Sequence, residues 1–204
     1  MGLKDVFDHP LVYQRFQEAG GFFGARTKAI DAHLSIEPGA RILDIGCGPG
    51  FLLDELPADI HYTGYDTDAG YIDFASGRFG ARGDFVCGRF DAAAAAAHGT
   101  ADIVMMNGVL HHLDDDEAQA TLGVVSGALR PGGTLFTLDG CYVEGQSRIA
   151  RRLLDNDRGE FVRTEAGYRG LLDERFPTVE VHIDSGWSRV PYTFIVMVAT
   201  TAGP

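Results

Sequence analysis

Short apolar segments alternate with segments suited to helices through the middle of the 204-residue chain, and this alternation limits the possible folds most strongly. Because the apolar segments carry few charges, each is expected to be a strand that is buried on both faces. Repeated strand–helix alternation predicts an α/β chain with a parallel sheet between two layers of helices. The predicted strands are ARILDI, HYTGYD, DFVC, DIVMM and TLFTLD.

The last two predicted strands break this parallel pattern. VEVHID (179–184) and PYTFIVMVAT (191–200) are separated by too few residues for a parallel crossover, so they are expected to pair antiparallel. The sheet should therefore have seven strands and be mostly parallel, with an antiparallel last strand. Two helices are expected within residues 1–38, and residues 141–175 form a long connection that should place helices over the functional site.

Length and composition limit the classes of function. Residues 1–204 fit a single domain with a sizeable core. A formal net charge of −12 argues against non-specific binding to nucleic acids or anionic membranes, and no apolar run reaches transmembrane length. The three cysteines are widely spaced and the N-terminus lacks a signal-peptide pattern, so we expect a cytoplasmic protein without a metal site.

Three glycines, Gly46, Gly48 and Gly50, follow the first predicted strand in the stretch ILDIGCGPGF. Glycine tolerates positive φ and has no Cβ to block an approaching ligand. The segment FLLDEL after the glycines is predicted to be a helix, whose first turn would add unpaired amides. The position, at the carboxyl edge of a parallel sheet, is typical of a nucleotide-binding turn.

The spacing of these glycines narrows the class of nucleotide. Asp66 ends the second predicted strand, where its carboxylate can accept hydrogen bonds from both hydroxyls of a ribose. The dinucleotide fingerprint is G-x-G-x-x-G/A, but its third glycine position is occupied here by Phe51. The pattern therefore predicts a ligand that has a ribose and no pyrophosphate.

Several motifs together carry a resemblance to a known family. ILDIGCGPG resembles the first motif of class I S-adenosylmethionine (SAM)-dependent methyltransferases, and GYDTD resembles their ribose-binding acidic motif. DIVMMNGVLHHLDDDE is similar to their fourth-strand motif, and LRPGGTLF to the entry into their fifth strand. The whole chain resembles small bacterial stand-alone methyltransferases of unassigned substrate. The resemblance implies a Rossmann-like three-layer fold, SAM as cofactor with S-adenosylhomocysteine as product, and a small-molecule acceptor.

The resemblance also implies roles for residues around the cofactor. Asp44 would anchor the glycine loop or reach the cofactor amine through water, and Tyr13 would close over the methionine end or pack in the core. Arg89 stands where the family often has an acid, while Phe90 would pack on the adenine face. The complete set of expected cofactor contacts is Tyr13, Asp44, Gly46, Cys47, Gly48, Gly50, Asp66, Thr67, Arg89, Phe90, Asn107 and Gly108.

The end of the fourth strand is expected to meet the reacting atoms. The backbone of Asn107 and Gly108 would run beside the sulfonium. His111 and His112 are the candidates for catalysis, because histidine titrates near neutral pH and can accept a hydroxyl proton. The alternative is that one of them packs beneath the loop and bonds a backbone carbonyl. The acids at 114–116 are better explained as the cap of a helix than as metal ligands.

Acceptor-binding candidates come from the last third of the chain. Arg158 or Arg163 would hold an acidic group of the substrate by bidentate bonds. Tyr142, Trp187 and Tyr192 would line the acceptor pocket, and ordinary packing explains them equally well.

The expected reaction is direct in-line transfer of a methyl group to an oxygen or a nitrogen, for which positioning supplies much of the rate acceleration. Two other functions are open at this point. A nicotinamide-dependent oxidoreductase is disfavoured by the glycine spacing and by the antiparallel final strands. A cofactor-binding module without catalysis would keep the same cofactor motifs.

Overall fold

The computed structural model describes residues 10–157 and 159–203, without the side chains of residues 10–13 and 16. Its strands are β1 (Arg41–Ile45), β2 (His61–Asp66), β3 (Gly83–Cys87), β4 (Ala101–Asn107), β5 (Leu129–Tyr142), β6 (Arg163–Thr164), β7 (Thr178–Asp184) and β8 (Phe194–Thr200). Its α-helices are α1 (Pro10–Gly20), α2 (Phe22–His33), α3 (Ala69–Phe79), α4 (Ala92–His98), α5 (Asp115–Ala128), α6 (Arg148–Asp155) and α7 (Glu165–Leu172). Single 3₁₀ turns occur at Phe51–Asp54 and Leu110–His112.

The strands form one sheet in the order β3-β2-β1-β4-β5-β8-β7. Strands β1 to β5 pair in parallel, and β8 is antiparallel to both of its neighbours, β5 and β7. This arrangement confirms the prediction of a mostly parallel sheet with an antiparallel last strand. Strand β6, which pairs with the end of β5, was not expected because two residues leave no recognisable pattern in the sequence.

The core lies on both faces of the sheet, because successive side chains of a strand point to opposite faces. In β1, Ile42 belongs to one buried cluster and Leu43 to the other, and Met105 and Val104 divide in the same way in β4. Burying each such side chain contributes about 1.5–3 kcal/mol. Helices α2, α3 and α6 cover the first face, and α4, α5 and α7 cover the second, which gives three layers.

Aspartates begin three of the helices, as their positions in the sequence suggested. Asp68 accepts a hydrogen bond from the amide of Tyr71 (3.0 Å), and Asp114 accepts one from the amide of Glu117 (2.8 Å). Asp91 caps the alanine-rich helix α4 in the same manner. The acidic run at 114–116 thus starts α5, where negative charge is also favoured by the helix dipole.

The segment after the glycines differs from the prediction. FLLDEL was expected to be a helix, but only the 3₁₀ turn Phe51–Asp54 forms there. Pro57 lies directly downstream and disfavours helical backbone in the residue before it, and the chain must turn back quickly to begin β2. The glycine turn therefore has no long helix behind it, and the expected helix-terminal amides are not part of the site.

Candidate functional site

A cavity of about 1040 Å³ lies at the carboxyl ends of the central strands. Its wall includes the residues at or just after the ends of β1, β2 and β4, together with Asp139 in β5. Residues of α1, α2 and α6 complete it. Open α/β sheets bind ligands at this edge, and the volume is at the upper end of the range of about 300–1,000 Å³ for small-molecule sites. The cavity can thus hold a cofactor together with a second small molecule.

The three glycines of the loop have different roles. All three have positive φ, at +74° for Gly46, +56° for Gly48 and +77° for Gly50. A Cβ on Gly46 would lie 2.6 Å from Val109, and one on Gly50 would lie 3.0 Å from Phe85. A Cβ on Gly48 would have no described atom within 4 Å. Only Gly48 therefore presents bare backbone to open space, where a ligand can approach it.

Asp66 holds this glycine loop in place. One carboxylate oxygen accepts a hydrogen bond from the amide of Gly48 (2.8 Å), and the other accepts one from the amide of Asp68 (2.9 Å). The carboxylate is therefore fixed in orientation at the end of β2, and each oxygen keeps a lone pair for a ligand. Thr67 follows it in the cavity wall and is exposed.

Asp44 lies elsewhere than the sequence suggested. It is 2 % exposed, accepts a hydrogen bond from the Tyr62 hydroxyl (2.8 Å), and stands outside the cavity lining. Burial raises the pKa of its carboxyl to about 6. The bond from Gly48 shows that Asp66, rather than Asp44, anchors the loop. Cys47 lines the cavity, but burial raises the pKa of its thiol and leaves it unreactive.

Asn107 and Gly108 bring unpaired polar groups to the cavity. Asn107 is 6 % exposed, and neither atom of its side-chain amide has a hydrogen-bond partner within residues 10–157 and 159–203. Gly108 donates its amide to the carbonyl of Leu138 (2.7 Å) at a φ of +74°. Because buried polar atoms are normally paired, the amide of Asn107 indicates that a polar ligand completes this wall. The donor set therefore fits an amino-acid or nucleoside ligand.

Aromatic side chains line another part of the wall. Phe90 packs edge-on against Tyr65, with ring centroids 5.1 Å apart, and both rings line the cavity. Arg89 lies at the rim, where its guanidinium forms an exposed ion pair with Glu117 (3.4 Å). An arginine with a nearby carboxylate partner can balance charge at the rim, but it supplies no acceptor for an adenine amino group.

His111 is held between two carboxylates. Its Nδ1 bonds Asp139 (2.7 Å), its Nε2 is 3.4 Å from Asp157, and its side chain is 9 % exposed. Burial alone would lower the pKa of His111, but the hydrogen bonds to Asp139 and Asp157 outweigh it and raise the pKa to about 9. The ring is therefore protonated at neutral pH and has no free nitrogen. This geometry argues against His111 as a general base.

Asp157 extends this network to the acceptor side of the cavity. It also accepts hydrogen bonds from the Tyr192 hydroxyl (2.7 Å) and the amide of Gly159 (3.0 Å). Burial opposes its ionisation, yet the hydrogen bond with His111 holds the pKa of Asp157 well below its usual range. A Cβ on Gly159 would lie 1.8 Å from the His111 ring. Asp157 and Gly159 thus both lie closely against the imidazole of His111.

His112 has a different environment from its neighbour. Its side chain is exposed and lines the cavity, with its ring centroid 4.3 Å from that of His111. Both histidines line the cavity, but the side chain of His112 is the more exposed of the two.

Only some of the residues expected to bind the acceptor line the cavity. Tyr192 lines the cavity. The hydroxyl of Tyr142 bonds Asp155 (2.9 Å) and its ring lies under a guanidinium, outside the cavity lining. Trp187 packs beside His33 and faces a smaller pocket, so it does not line the cavity as expected. For these two aromatics the structure fits the alternative of ordinary packing, and neither local spacing nor composition reports which side of a loop a ring faces.

Arg163 does not suit the role of an anion ligand. Its guanidinium donates hydrogen bonds to Asp115 and to the carbonyls of Leu110 and Leu113, and its side chain is 10 % exposed. It therefore ties β6 to the start of α5. The side chain of Tyr13 and all of Arg158 lie outside the described residues.

Functional candidates that the sequence did not single out include Asp139, Asp157 and Gly159. Their common signal is contact with His111, which is distant along the chain and could not be read from spacing. Arg26 in α2 also lines the cavity, and its buried Nε has no partner within the described ranges. From the sequence, Arg26 could either pair with the cofactor carboxylate or be solvated, and the fold places it in the cavity wall.

Comparisons with known proteins agree with this geometry. A family model described as a methyltransferase domain matches residues 43–135. Comparison with curated protein sequences gave no significant match.

Solved structures share the fold at low sequence identity. The chain is similar to a TehB-like SAM-dependent methyltransferase from Corynebacterium glutamicum, with 19 % identity and a TM-score of 0.66 over 98 % of this chain and 100 % of that one. It is similar to a SAM-dependent methyltransferase from Methanosarcina mazei, with 18 % identity and a TM-score of 0.63 over 85 % and 98 %. An O-methyltransferase family protein from Burkholderia thailandensis gives 20 % identity and a TM-score of 0.64 over 93 % and 57 %.

Proposed function

We propose that this chain, whose residues 43–135 match a methyltransferase domain, is a class I SAM-dependent methyltransferase that methylates a hydroxyl or amine of a small molecule. The observation that carries the proposal is the pairing of Gly48 with Asp66. Gly48 presents bare backbone to the cavity, and the carboxylate of Asp66 is fixed beside it by two amides. A ligand can approach the main chain closely at Gly48, and Asp66 beside it can accept hydrogen bonds from a ribose. This combination suits an adenosyl ligand without a pyrophosphate.

We assign the residues around the cofactor by their place in the cavity wall. Asp66, Thr67 and Phe90 would hold the adenosine, while Gly46, Gly48 and the amide of Asn107 would hold the amino-acid part. The unpaired side-chain atoms of Asn107 support this division, because a ligand with both donors and acceptors would satisfy them. When bound, the cofactor supplies a methyl group on a sulfonium, which is an electrophile.

The remaining wall would orient the acceptor and exclude water. Phe22, Leu138, Leu153 and Phe194 give this part of the cavity an apolar lining. Holding two reactants in line contributes much of the acceleration in such a transfer, and a dry site strengthens each electrostatic contact. These apolar side chains thus contribute mainly by holding the acceptor in position.

His112 is the residue that we propose as the general base for a hydroxyl acceptor. As a side chain in the cavity wall, His112 can take the hydroxyl proton as the new bond forms. His111 is unsuited, since both of its ring nitrogens already bond carboxylates. An amine that enters as the free base needs no such group during the transfer.

Charge and cavity size support a small acceptor. The net charge of −12 disfavours a nucleic acid, and the cavity volume leaves room for a metabolite beside the cofactor. Across the described part of the chain, none of the helices has the length and apolar character needed to cross a bilayer. A cytoplasmic location stays a prediction.

The test combines calorimetry with transfer assays. The protein is expected to bind S-adenosylhomocysteine and not NADH, and to transfer label from the donor to phenols or amines in a panel. His112→Ala should lower kcat for hydroxyl acceptors about 100-fold or more and leave the affinity for S-adenosylhomocysteine unchanged. His98→Ala, on the exposed end of α4, is the matched control. Cofactor binding without transfer to any acceptor would instead support a non-catalytic module.

A further inference from the structure

The outer face of α6 is unusual for a helix on the surface. Ala150 and Leu154 point into the core. On the adjoining face, Ile149 is 61 % exposed and Leu153 is 37 % exposed. Because residues four apart in a helix are neighbours on one face, these two side chains form a continuous apolar row.

Two arginines form a second row beside this one. Arg148 and Arg152 are also four residues apart, and the side chains of both are exposed. Arg151 is engaged, since it pairs with Asp155 (3.2 Å) and stacks on Tyr142. Among the residues that the structure describes, neither Arg148 nor Arg152 has an ion-pair partner. The face therefore carries two unneutralised positive charges on a chain whose net charge is −12.

This face continues into the cavity. Leu153 belongs to the exposed apolar row and also lines the cavity, as does Asn156 just after the helix. Three of the five large apolar side chains that are exposed in the described residues fall between 149 and 161, at Ile149, Leu153 and Phe161. The apolar row thus leads from solvent to the mouth of the methyl-transfer site.

We propose that the acceptor is an amphipathic anion that is free in solution. Its apolar part lies along Ile149 and Leu153, its carboxylate or phosphate binds Arg148 and Arg152, and its nucleophile enters the cavity. Arginine suits both anionic groups because its planar fork donates two parallel hydrogen bonds. The inference rests on the proposed methyl transfer and specifies its acceptor.

A membrane surface fits the same face less well. Helix α6 has 8 residues and presents only two apolar side chains to solvent, which is too little buried area for stable anchoring. The net charge of −12 also repels an anionic bilayer. A single amphiphile needs only the two rows and the adjoining cavity.

The experiment measures binding of decanoate to the whole protein with S-adenosylhomocysteine present. Saturable binding of decanoate by calorimetry is expected, with 1-decanol binding at least about tenfold more weakly because it lacks the charge. Arg148→Ala combined with Arg152→Ala should weaken decanoate at least about tenfold, and the double lysine variant should restore part of the affinity. Alanine is a good helix former, so the double variant keeps α6 folded.

Two serine variants test the contribution of the apolar row to decanoate binding. Ile149→Ser should weaken decanoate severalfold, while Ile183→Ser, at an exposed position of β7, should not. Equal affinity for decanoate and decanol, or unchanged affinity in the double arginine variant, would overturn the proposal. So would arginine-dependent binding to vesicles of anionic phospholipid without binding of free decanoate. If the native protein did not bind S-adenosylhomocysteine at all, the methyltransferase function itself would be contradicted instead.

Discussion

The wall of the cavity at the ends of β1 and β2 is made mainly of backbone, whereas the wall at β5 and residues 153–157 is made of side chains. In the first wall, Gly48 and the fixed carboxylate of Asp66 lie eighteen positions apart in the sequence. In the second, His111 joins Asp139 and Asp157, which come from separate parts of the chain. The first arrangement suits a constant cofactor, and the second can differ between acceptors without disturbing the first.

This difference also predicts where substitutions are costly. The second wall holds the imidazole of His111 between two carboxyl groups in a buried site, where each group depends on the others. In the first wall, the polar groups bond backbone amides, and the rim is exposed. Stability should therefore be most sensitive around His111, and cofactor affinity around Asp66.

The largest effect on stability is expected from removing the imidazole. His111→Ala leaves Asp139 and Asp157 facing each other without the intervening cation, which should cost about 3–5 kcal/mol. Urea denaturation measures this loss, and His98→Ala, at the end of α4 and outside the cavity lining, serves as the control. A loss below about 1 kcal/mol would mean that the two carboxylates are not held by the charge of His111.

A somewhat smaller effect is expected from pH. The pKa of His111 is raised from 6.5 to about 9 in the folded chain, so its stabilising contribution is complete below about pH 6.5 and is lost as pH rises through 9. That contribution is about 3 kcal/mol for a shift of this size. The free energy of unfolding should fall between pH 7 and 9.5 in the native protein, relative to His111→Gln. If the free energies of unfolding of the two proteins changed with pH in parallel, the raised pKa of His111 would be contradicted.

Gly159→Ala tests how closely the chain fits around the imidazole. The added Cβ would lie 1.8 Å from the His111 ring and 2.5 Å from its carbonyl oxygen, so the segment must shift. A loss of about 1–3 kcal/mol is expected from such overpacking. Gly170→Ala in α7, where nothing lies within 4 Å in the described structure, should be neutral or slightly stabilising. If both variants behaved alike in urea, the close fit would be wrong.

The smallest effect is expected at the rim of the first wall. Arg89→Ala removes an ion pair whose arginine side chain is 76 % exposed. Such pairs are screened by water, so the free energy of unfolding should change by no more than about 0.5 kcal/mol. A larger change in the free energy of unfolding, measured by urea denaturation, would show that the rim contributes to stability. The two walls would then differ less than described.

The sheet and the first wall could be predicted because their signals are local. Apolar alternation located β1 to β5, and the short gap before β8 predicted the antiparallel pair. The glycine spacing pointed to the turn at which Gly48 bonds Asp66. The helix expected at FLLDEL did not form, because the connection to β2 is short and Pro57 follows.

The second wall could not be predicted in the same way. The pKa of His111 depends on two carboxylates that only the fold brings close, so the residue looked like a base in the sequence. Trp187 and Tyr142 were expected in the pocket and face other surroundings, because aromatic residues pack wherever the tertiary structure places them. Gly159 showed no turn motif, and its importance comes from contact with His111 alone.

Calorimetric titration of Asp66→Ala with S-adenosylhomocysteine tests the central claim most directly. The substitution removes a carboxylate that bonds the amides of Gly48 and Asp68, so affinity should fall about 100-fold relative to the native protein. Asp114→Ala, which removes the cap of α5 outside the cavity lining, should bind as the native protein does. Native affinity in a folded Asp66→Ala protein would contradict the account.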